Sequence, residues 1–172
     1  MHTLRIALGG GCHWCTEAVF QSLKGVKMVN QGFVSPIEDN NSFSEAVVIA
    51  YDDSMISMKD LIEIHLHTHK STSNHSFRNK YRSAVYVYSE EDFNRATQIL
   101  RDLESDFEQK LITKVHYFNQ FKPSEEQFHN YYYSNPEKPF CETYISPKLK
   151  TILDKFGNLA DEKKINASHE AI

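Results

Sequence analysis

The sequence has few cysteines: three among 172 residues, at positions 12, 15 and 141. An odd number does not form the paired disulfide framework of small secreted proteins, so we interpret these cysteines as working thiols. The chain also lacks an apolar run near the ~20 residues that span a bilayer, and its first residues run into glycines rather than into a signal-peptide cleavage region. These absences predict a cytoplasmic protein that does not enter a membrane.

Neither sign of charge dominates the sequence. The chain has 19 Lys and Arg against 23 Asp and Glu, which gives a formal net charge of -4. Because no basic stripe is present to neutralise phosphates, nucleic acid is not an expected ligand. The length is that of one ordinary domain. We expect a monomer with a single catalytic domain over residues 1–159 and a polar tail over residues 160–172.

The first half of the chain alternates short strands with helices. A strand over residues 4–8 ends in three glycines, and a helix is predicted to run from Cys12 to Gly25. Ser57 and Ser89 are typical N-caps of the next two helices. The element order through residue 88 predicts an α+β fold with a ferredoxin-like (split βαβ) core, a two-layer sandwich with extra C-terminal helices and loops. The remaining elements predicted in this half are strands over 26–34, 46–51 and 84–88 and a helix over 58–70.

Two helices are predicted in the second half from their caps and apolar spacing. The helix that begins after Ser89 carries an apolar stripe that continues to Leu111. Ser124 with Gln127 forms a capping box for a helix through about Tyr133. A short strand over residues 115–118 is expected between these helices.

The C-terminal part is predicted to be less regular. The stretch Pro136–Pro147 is bounded by prolines and is interpreted as helix-free and mobile. A last helix is predicted over residues 149–156. The lysines of this part are interpreted as a solvated face; they are Lys148, Lys150, Lys155, Lys163 and Lys164.

Cys12 follows three glycines at the predicted start of a helix. Unpaired backbone N–H groups and the helix dipole favour a thiolate over a thiol at such a position. The glycines also let a substrate approach the backbone without meeting side chains. We therefore favour a reactive nucleophile over a small apolar residue packed at a strand–helix junction.

Cys12 and Cys15 together form a Cys-x-x-Cys pair. Such a pair can close a redox disulfide in a thioredoxin-like protein. Here His13 and Trp14 fill the middle of the pair, and the strand pattern that usually accompanies the motif is absent. A stand-alone thiol–disulfide redox protein is therefore the second hypothesis.

Four segments, in chain order, resemble the peptide methionine sulfoxide reductase A family. Residues 11–14 (Gly-Cys-His-Trp) resemble the family's Gly-Cys-Phe-Trp signature, and residues 44–52 resemble a Glu-containing stretch that ends in Tyr-Asp. Residues 80–86 resemble its Gln-Tyr-Arg-Ser segment, and residues 121–141 resemble its approach to a recycling cysteine. The resemblance covers about residues 4–145. Four segments in order, on the expected strands and helices, are a specific signal.

The resemblance implies reduction of methionine S-sulfoxide, free or in proteins, through a sulfenic acid on Cys12. In this scheme Glu45 protonates the sulfoxide oxygen and Tyr81 hydrogen-bonds it. The sulfenic acid condenses with a second thiol, and thioredoxin or another dithiol reductant restores the enzyme without any other cofactor. Cys141 matches the family's recycling position, whereas Cys15 is close to Cys12 in the sequence. We favour Cys141, since a mobile segment can bring its thiol to Cys12, and keep Cys15 as the alternative.

The substrate-binding residues implied by the resemblance include a departure from the family. Trp14 is expected to form a flat apolar wall for the S-methyl group. His13 stands where the family has a pocket phenylalanine, so this wall becomes polar and titratable near neutral pH. The loop over residues 35–42 has no tyrosine, and Ser76 stands in place of an aspartate. These departures favour a third hypothesis, a non-catalytic binder of oxidised methionine.

Several histidines between residues 65 and 75 raise the question of a metal site. On a helix, His65 and His69 share a face while His67 points away, so three ligands do not converge without a break. We therefore predict that the protein holds no metal.

Overall fold

The computed structural model describes residues 3–165, and the chain folds into one sheet surrounded by helices. Within this range no helix is long and apolar enough to cross a membrane. The strands and α-helices are β1 (Thr3–Gly9), α1 (His13–Gln21), β2 (Val26–Pro36), β3 (Ser44–Asp52), α2 (Met58–Thr68), β4 (Ala84–Val87), α3 (Glu90–Leu103), β5 (Lys114–Pro123), α4 (Tyr131–Ser134) and α5 (Ser146–Phe156). Short 3-10 turns cover Glu104–Asp106 and Glu126–Phe128, and a π-helical turn covers Cys141–Ile145.

The sheet is closed rather than open. β1 lies between β3 and β4 and is antiparallel to both, and β2 pairs antiparallel with β3. β5 then pairs parallel with β4 and antiparallel with β2, so the strand order β1-β3-β2-β5-β4 returns to its start. The predicted α+β class is confirmed. Closure was not part of the expected two-layer sandwich, because it depends on a pairing between two strands that lie far apart in sequence.

The core lies between the sheet and the helices that cover it. α1 is buried along its length, with Ala18, Val19 and Phe20 at most 1% exposed. These side chains pack with apolar residues of β3, including Ile49, because the strand presents its β-branched side chains to that face. The helix that carries the predicted nucleophile is therefore held on a rigid support.

Two predicted helix caps are confirmed by their hydrogen bonds. Ser57 Oγ accepts the backbone N–H of Asp60 at 3.0 Å, and the Asp60 carboxylate accepts the N–H of Ser57 at 3.1 Å, which is a complete capping box. Ser89 Oγ likewise accepts the N–H of Asp92 at 3.2 Å. These bonds satisfy backbone donors that the helices themselves leave unpaired.

Two predicted helical extents are wrong. α3 ends at Leu103 in a 3-10 turn and an extended Phe107, so the stripe does not continue to Leu111 as helix. Ser124 caps no helix: the next turn has Glu125 at its N-cap position and no side-chain cap bond, and the Ser124 hydroxyl donates to the Gln31 side chain at 2.7 Å. Beyond it the backbone of Asn130 adopts a left-handed conformation (φ 55°), which limits the segment to a 3-10 turn and the short α4.

The C-terminal segment is more ordered than its prolines suggested. The stretch Pro136–Pro147 is not helix-free, because the π turn Cys141–Ile145 runs directly into α5. Pro147 lies in the first turn of α5, where its missing N–H costs no hydrogen bond. The turn and helix pack through four buried side chains: Cys141, Ile145, Leu149 and Ile152.

The packed part of the chain extends beyond residue 159. Ala160 forms an antiparallel bridge with Leu23 and is fully buried, and Ile165 is also buried. Residues 166–172 of the predicted tail lie outside the described residues.

Gly32 marks a close approach of β2 and β5. A Cβ atom at this position would lie 2.1 Å from the Lys122 carbonyl oxygen and 2.7 Å from the Phe121 ring. We expect Gly32→Ala to lower the free energy of unfolding by about 1–3 kcal/mol, because the closing pair of strands has to separate. Urea denaturation measures this loss. Gly11→Ala is the matched control, since its Cβ has its nearest neighbour at 4.0 Å; equal stability of the two variants would contradict the prediction.

Candidate active site

The turn between β1 and α1 places Cys12 at a helix N-terminus, as predicted. The Cys12 carbonyl accepts the backbone N–H groups of Cys15 and Thr16, each at 3.1 Å, and so begins the helix. Gly10 precedes it with a φ of 153°, and a Cβ there would lie 2.5 Å from the His69 ring. The glycine is therefore required for the turn to lie against α2.

Cys12 and Cys15 form a hydrogen-bonded pair of unequal thiols. The Cys15 thiol donates to Cys12 and, together with the backbone N–H groups of Trp14 and Cys15, lowers the pKa of Cys12 against the effect of burial. The same hydrogen bond, with burial, strongly raises the pKa of Cys15. Burial also raises the pKa of Cys141. All three cysteines are free, and Cys12 is the one that ionises first.

Glu45 lies on β3 with 5% of its surface exposed and contacts His13. Its Oε1 atom accepts the backbone N–H of His13 at 3.4 Å and lies 3.4 Å from the Nε2 atom of the same residue. The Nδ1 atom of His13 donates to the Gly32 carbonyl at 2.9 Å. A neutral ring then carries no proton on Nε2, so contact with Glu45 is favourable when the two groups hold one proton between them. Burial lowers the pKa of His13, which favours the neutral ring.

The second carboxyl oxygen of Glu45 is left without a hydrogen bond from residues 3–165. Oε2 is buried and has no hydrogen-bond partner among the described residues. The Lys80 ammonium lies 3.7 Å away, but the Lys80 side chain is 65% exposed, so water screens this ion pair. The same ammonium lies 5.1 Å from the ring centre of Tyr81. Lys80 therefore lies near both Glu45 and Tyr81. These two residues were predicted from the sequence, whereas Lys80 was not.

Trp14 is surrounded by aromatic side chains of the C-terminal part. Its ring stacks on Tyr131 and Phe128, with ring centres 4.4 and 5.1 Å apart, and meets the Phe140 ring edge-on at 5.3 Å. Glu17 holds this arrangement, since its buried carboxylate accepts the backbone N–H groups of residues 130 and 131 at 3.0 and 3.1 Å. Glu17 was not predicted from the sequence, although its position one helical turn after the signature residues pointed to a place beside the site. A substrate-binding role for Trp14 stays a prediction.

A cavity of about 560 Å³ opens beside Cys12. Of the predicted site residues, Cys12, Cys15 and Tyr81 line it, whereas His13, Trp14, Glu45 and Cys141 do not. Cys12 is thus the point where the cavity and the Glu45–His13 pair meet. The other lining side chains include aromatic rings, histidines and lysines: Phe77, Phe140, Tyr144, His65, His69, His75, Lys70 and Lys148.

Two histidines form part of the cavity wall. His65 donates from Nε2 to the Gly9 carbonyl at 2.8 Å, and the His69 ring stacks on it with ring centres 4.1 Å apart. His67 instead stacks on Phe107 at 4.7 Å, so the expected separation of the helix faces is confirmed. The absence of a metal stays a prediction. One set of possible ligand atoms among residues 3–165 lies within 4.8 Å of one another, away from the thiols, in Glu63, His67 and Asp106.

Lys148 does not belong to a solvated face, and that part of the sequence interpretation is wrong. Its side chain is half-buried, lines the cavity with Cys12 and Cys15, and donates from Nζ to the Thr68 carbonyl at the end of α2. The signal for this position was its spacing from the buried residues Ile145 and Ile152, which puts residue 148 on the flank of the same helix face.

Comparison with known proteins gives consistent similarities. A family described as "Peptide methionine sulfoxide reductase" matches residues 4–160. The "Peptide methionine sulfoxide reductase MsrA" of Saccharolobus solfataricus is 32% identical over 163 residues, which cover 87% of this chain and 92% of that protein. Mxr1 of Saccharomyces cerevisiae in reduced form has a similar fold, with a TM-score of 0.73, 20% identity and coverage of 83% and 91% of the two chains. The crystal structure of Mxr1 in complex with Trx2 matches with a TM-score of 0.61, 19% identity and coverage of 74% and 84%.

The buried His65 predicts a pH dependence of stability. Burial lowers the pKa of His65 to about 4, whereas the unfolded chain binds this proton near the ordinary value of about 6.5. Between these values the unfolded state holds the extra proton, so acidification lowers the free energy of unfolding by up to about 1.4 kcal/mol per pH unit for this group. Urea denaturation from pH 7 to 4 should show a shallower loss for His65→Gln. The exposed His129 supplies the control, and an unchanged slope in His65→Gln with the slope lost in His129→Gln would contradict the assignment.

Proposed function

The chain belongs to the peptide methionine sulfoxide reductase family, and from this premise we propose that it reduces methionine S-sulfoxide, free or in proteins, with Cys12 as the nucleophile. The observation that carries the proposal is the position of Cys12. It is the thiol whose pKa is lowered, by the hydrogen bond from Cys15, and it lies at the point where an open cavity meets a buried carboxyl group. An oxygen acceptor and a proton donor are thereby adjacent.

In the first step the Cys12 thiolate attacks the sulfoxide sulfur while the sulfoxide oxygen takes up a proton. Glu45 is the proposed donor, supported by its burial and by an Oε2 atom that lacks a hydrogen-bond partner among the described residues. The oxygen passes to Cys12, so thiolate, sulfoxide and one proton yield a sulfenic acid and methionine. The cysteine sulfur loses two electrons and the methionine sulfur gains them.

The neighbouring side chains have supporting roles in this proposal. His13 shares a proton with Glu45 and keeps Oε1 occupied, which leaves Oε2 for the substrate. Tyr81 lines the cavity and is the proposed second hydrogen-bond donor to the sulfoxide oxygen. Trp14 is the proposed apolar neighbour of the S-methyl group, supported by its place one residue beyond His13 on the same turn of α1.

In the second step a thiol attacks the Cys12 sulfenic acid and water leaves as the disulfide forms. We propose Cys15 for this role, because its thiol is already hydrogen-bonded to Cys12. The sequence argument for Cys141 relied on a helix-free segment, whereas Cys141 is fully buried at the start of a π turn. Cys141 is the second candidate and requires that turn to open.

A dithiol reductant completes the cycle by passing two electrons and two protons to the disulfide. Thioredoxin is the proposed donor, supported by the Mxr1–Trx2 complex of a protein with this fold. No other cofactor is needed for this electron balance. We also propose that the protein acts as a monomer in the cytoplasm, a location supported by three free thiols.

The finer architecture is also proposed. We interpret β1, α1, β2, β3, α2 and β4 as a ferredoxin-like (split βαβ) unit, with β5 as an added strand. The antiparallel order β4-β1-β3-β2 supports this interpretation. In this view α1 is the first crossover helix of the unit.

Turnover of the two sulfoxide epimers with dithiothreitol tests the function. We expect reduction of the S epimer alone, abolished in Cys12→Ser because an alcohol is too weak a nucleophile. Glu45→Gln should lower kcat by ~10²- to 10⁴-fold, the usual loss for a positioned proton donor. Glu91→Gln, at an exposed position of α3, is the matched control. Reduction of neither epimer would favour a binder of oxidised methionine, and disulfide exchange without sulfoxide reduction a thiol–disulfide redox protein.

Peptide mass mapping tests the resolving thiol. After one equivalent of sulfoxide we expect a Cys12–Cys15 disulfide, and thioredoxin-dependent turnover should survive Cys141→Ser and be lost in Cys15→Ser. A Cys12–Cys141 disulfide as the first product, with turnover retained in Cys15→Ser, would return the role to Cys141.

A further inference from the structure

Lys148 is a half-buried cation without an acidic partner. Within residues 3–165 no carboxylate oxygen lies within 4.0 Å of its ammonium group. Among the described residues its hydrogen bond is to the Thr68 carbonyl, which leaves donor capacity on an ammonium group that has three protons. A desolvated charge is costly unless an opposite charge lies nearby. We therefore expect a negatively charged group close to the Lys148 ammonium.

The thiol pair is a source of negative charge in a cavity that no Asp or Glu of the described residues lines. Lys148, Cys12 and Cys15 all line this cavity. Burial lowers the pKa of Lys148, and ionisation of Cys15 or Cys12 opposes that lowering. In turn, the Lys148 charge opposes the strong rise in the pKa of Cys15 that its bond to Cys12 and burial cause. The interaction is thus mutual.

The charged and titratable groups around the pair include one further cation that interacts with Cys12, Lys80, but its side chain is 65% exposed, so water screens its charge. On β3, ionised Glu45 raises the pKa of Cys12. On α2 and at the residue that follows it, burial lowers the pKa of His65 and His69, which leaves both uncharged at neutral pH. Lys70 lies on the rim of the cavity and is exposed to water. The pKa of His75 is lowered and that of Cys141 is raised, in both cases first by burial, so both directions favour the uncharged form.

We propose that Lys148 is a positioning residue whose ammonium group is the counter-charge of the single negative charge shared by Cys12 and Cys15. The inference rests on the proposed function for its consequence but not for its test. In the resting pair, two sulfur atoms hold one proton, and the ammonium stabilises whichever sulfur carries the charge.

This arrangement gives Lys148 a role in both thiol steps. Before turnover it stabilises the pair in which Cys12 is the thiolate. Once Cys12 is a sulfenic acid it no longer accepts the Cys15 proton as a thiolate does, and the ammonium then favours ionisation of Cys15. The Cys15 thiolate attacks the sulfenic sulfur, the S–O bond breaks, and the hydroxide leaves with one proton as water.

The pH profile of alkylation measures this role without any turnover. The reduced full chain is treated with iodoacetamide from pH 5 to 10, and modification of the Cys12 peptide is followed by mass spectrometry. Lys148→Gln retains a donor for the Thr68 carbonyl but removes the charge. We expect its midpoint to rise by about one pH unit, a roughly 10-fold slower modification below the midpoint, and Lys148→Arg to stay near the wild type.

Lys164 provides a matched control for the structural part of the role. Its ammonium donates to the Gln21 carbonyl at 2.8 Å, at the end of α1, much as Lys148 donates at the end of α2. Lys164 does not line the thiol cavity. Lys164→Gln should leave the alkylation midpoint unchanged. An unchanged midpoint in Lys148→Gln, or an equal shift in Lys164→Gln, overturns the proposal, as does a Lys148→Gln defect limited to the KM of acidic substrates.

A measurement on the wild-type chain covers the case in which Lys148→Gln fails to fold. The 13Cε resonance of Lys148 should show a step at the pH where Cys12 ionises, and Cys12→Ser should remove that step. A resonance without such a step overturns the proposal. Failure of sulfoxide reduction with a normal Lys148 effect on alkylation would instead refute the proposed function alone.

Discussion

The site depends on how the turn between β1 and α1 is fixed against the rest of the molecule. The Gly9 carbonyl accepts a hydrogen bond from His65, and the Gly10 carbonyl accepts one from Arg78 at 2.7 Å. These two bonds satisfy backbone groups that a glycine turn would otherwise leave to water. Because the turn is held from two sides, Cys12 begins α1 at a defined place, and the groups that contact it need no movement of their own.

Ionisation of the thiol and of the carboxyl group are linked. Ionised Glu45 raises the pKa of Cys12, so the thiolate is favoured when the carboxyl group is protonated. The proposed reaction uses this pair of states: a nucleophile without its proton and an acid with one.

Local features of the site followed from the sequence, and long-range ones did not. Cys12 at a helix start could be predicted from adjacent glycines and helical spacing. Glu45 came from the family resemblance, and its burial and its contact with His13 required the structure. Lys148 and Glu17 were not found, because each acts on a segment about eighty residues or more away. The π turn was not predicted for a related reason. The prolines that flank it disfavour a helix locally, whereas the burial of one of its faces, which stabilises the turn, depends on distant residues.

Closure of the sheet also removes the strand edges to which a second copy of the chain could pair. A strand at the edge of a sheet exposes unpaired N–H and C=O groups that a second molecule can extend, and a ring of strands has no such edge. Here the ring closes through β5, which pairs Phe118 with Pro36 and Pro123 with Gly32. During synthesis on the ribosome, β2 therefore waits for some eighty further residues before its second side is covered. Over that interval the nascent chain carries an exposed strand edge that the finished barrel does not have. This is the period in which a chaperone would protect the chain most from aggregation.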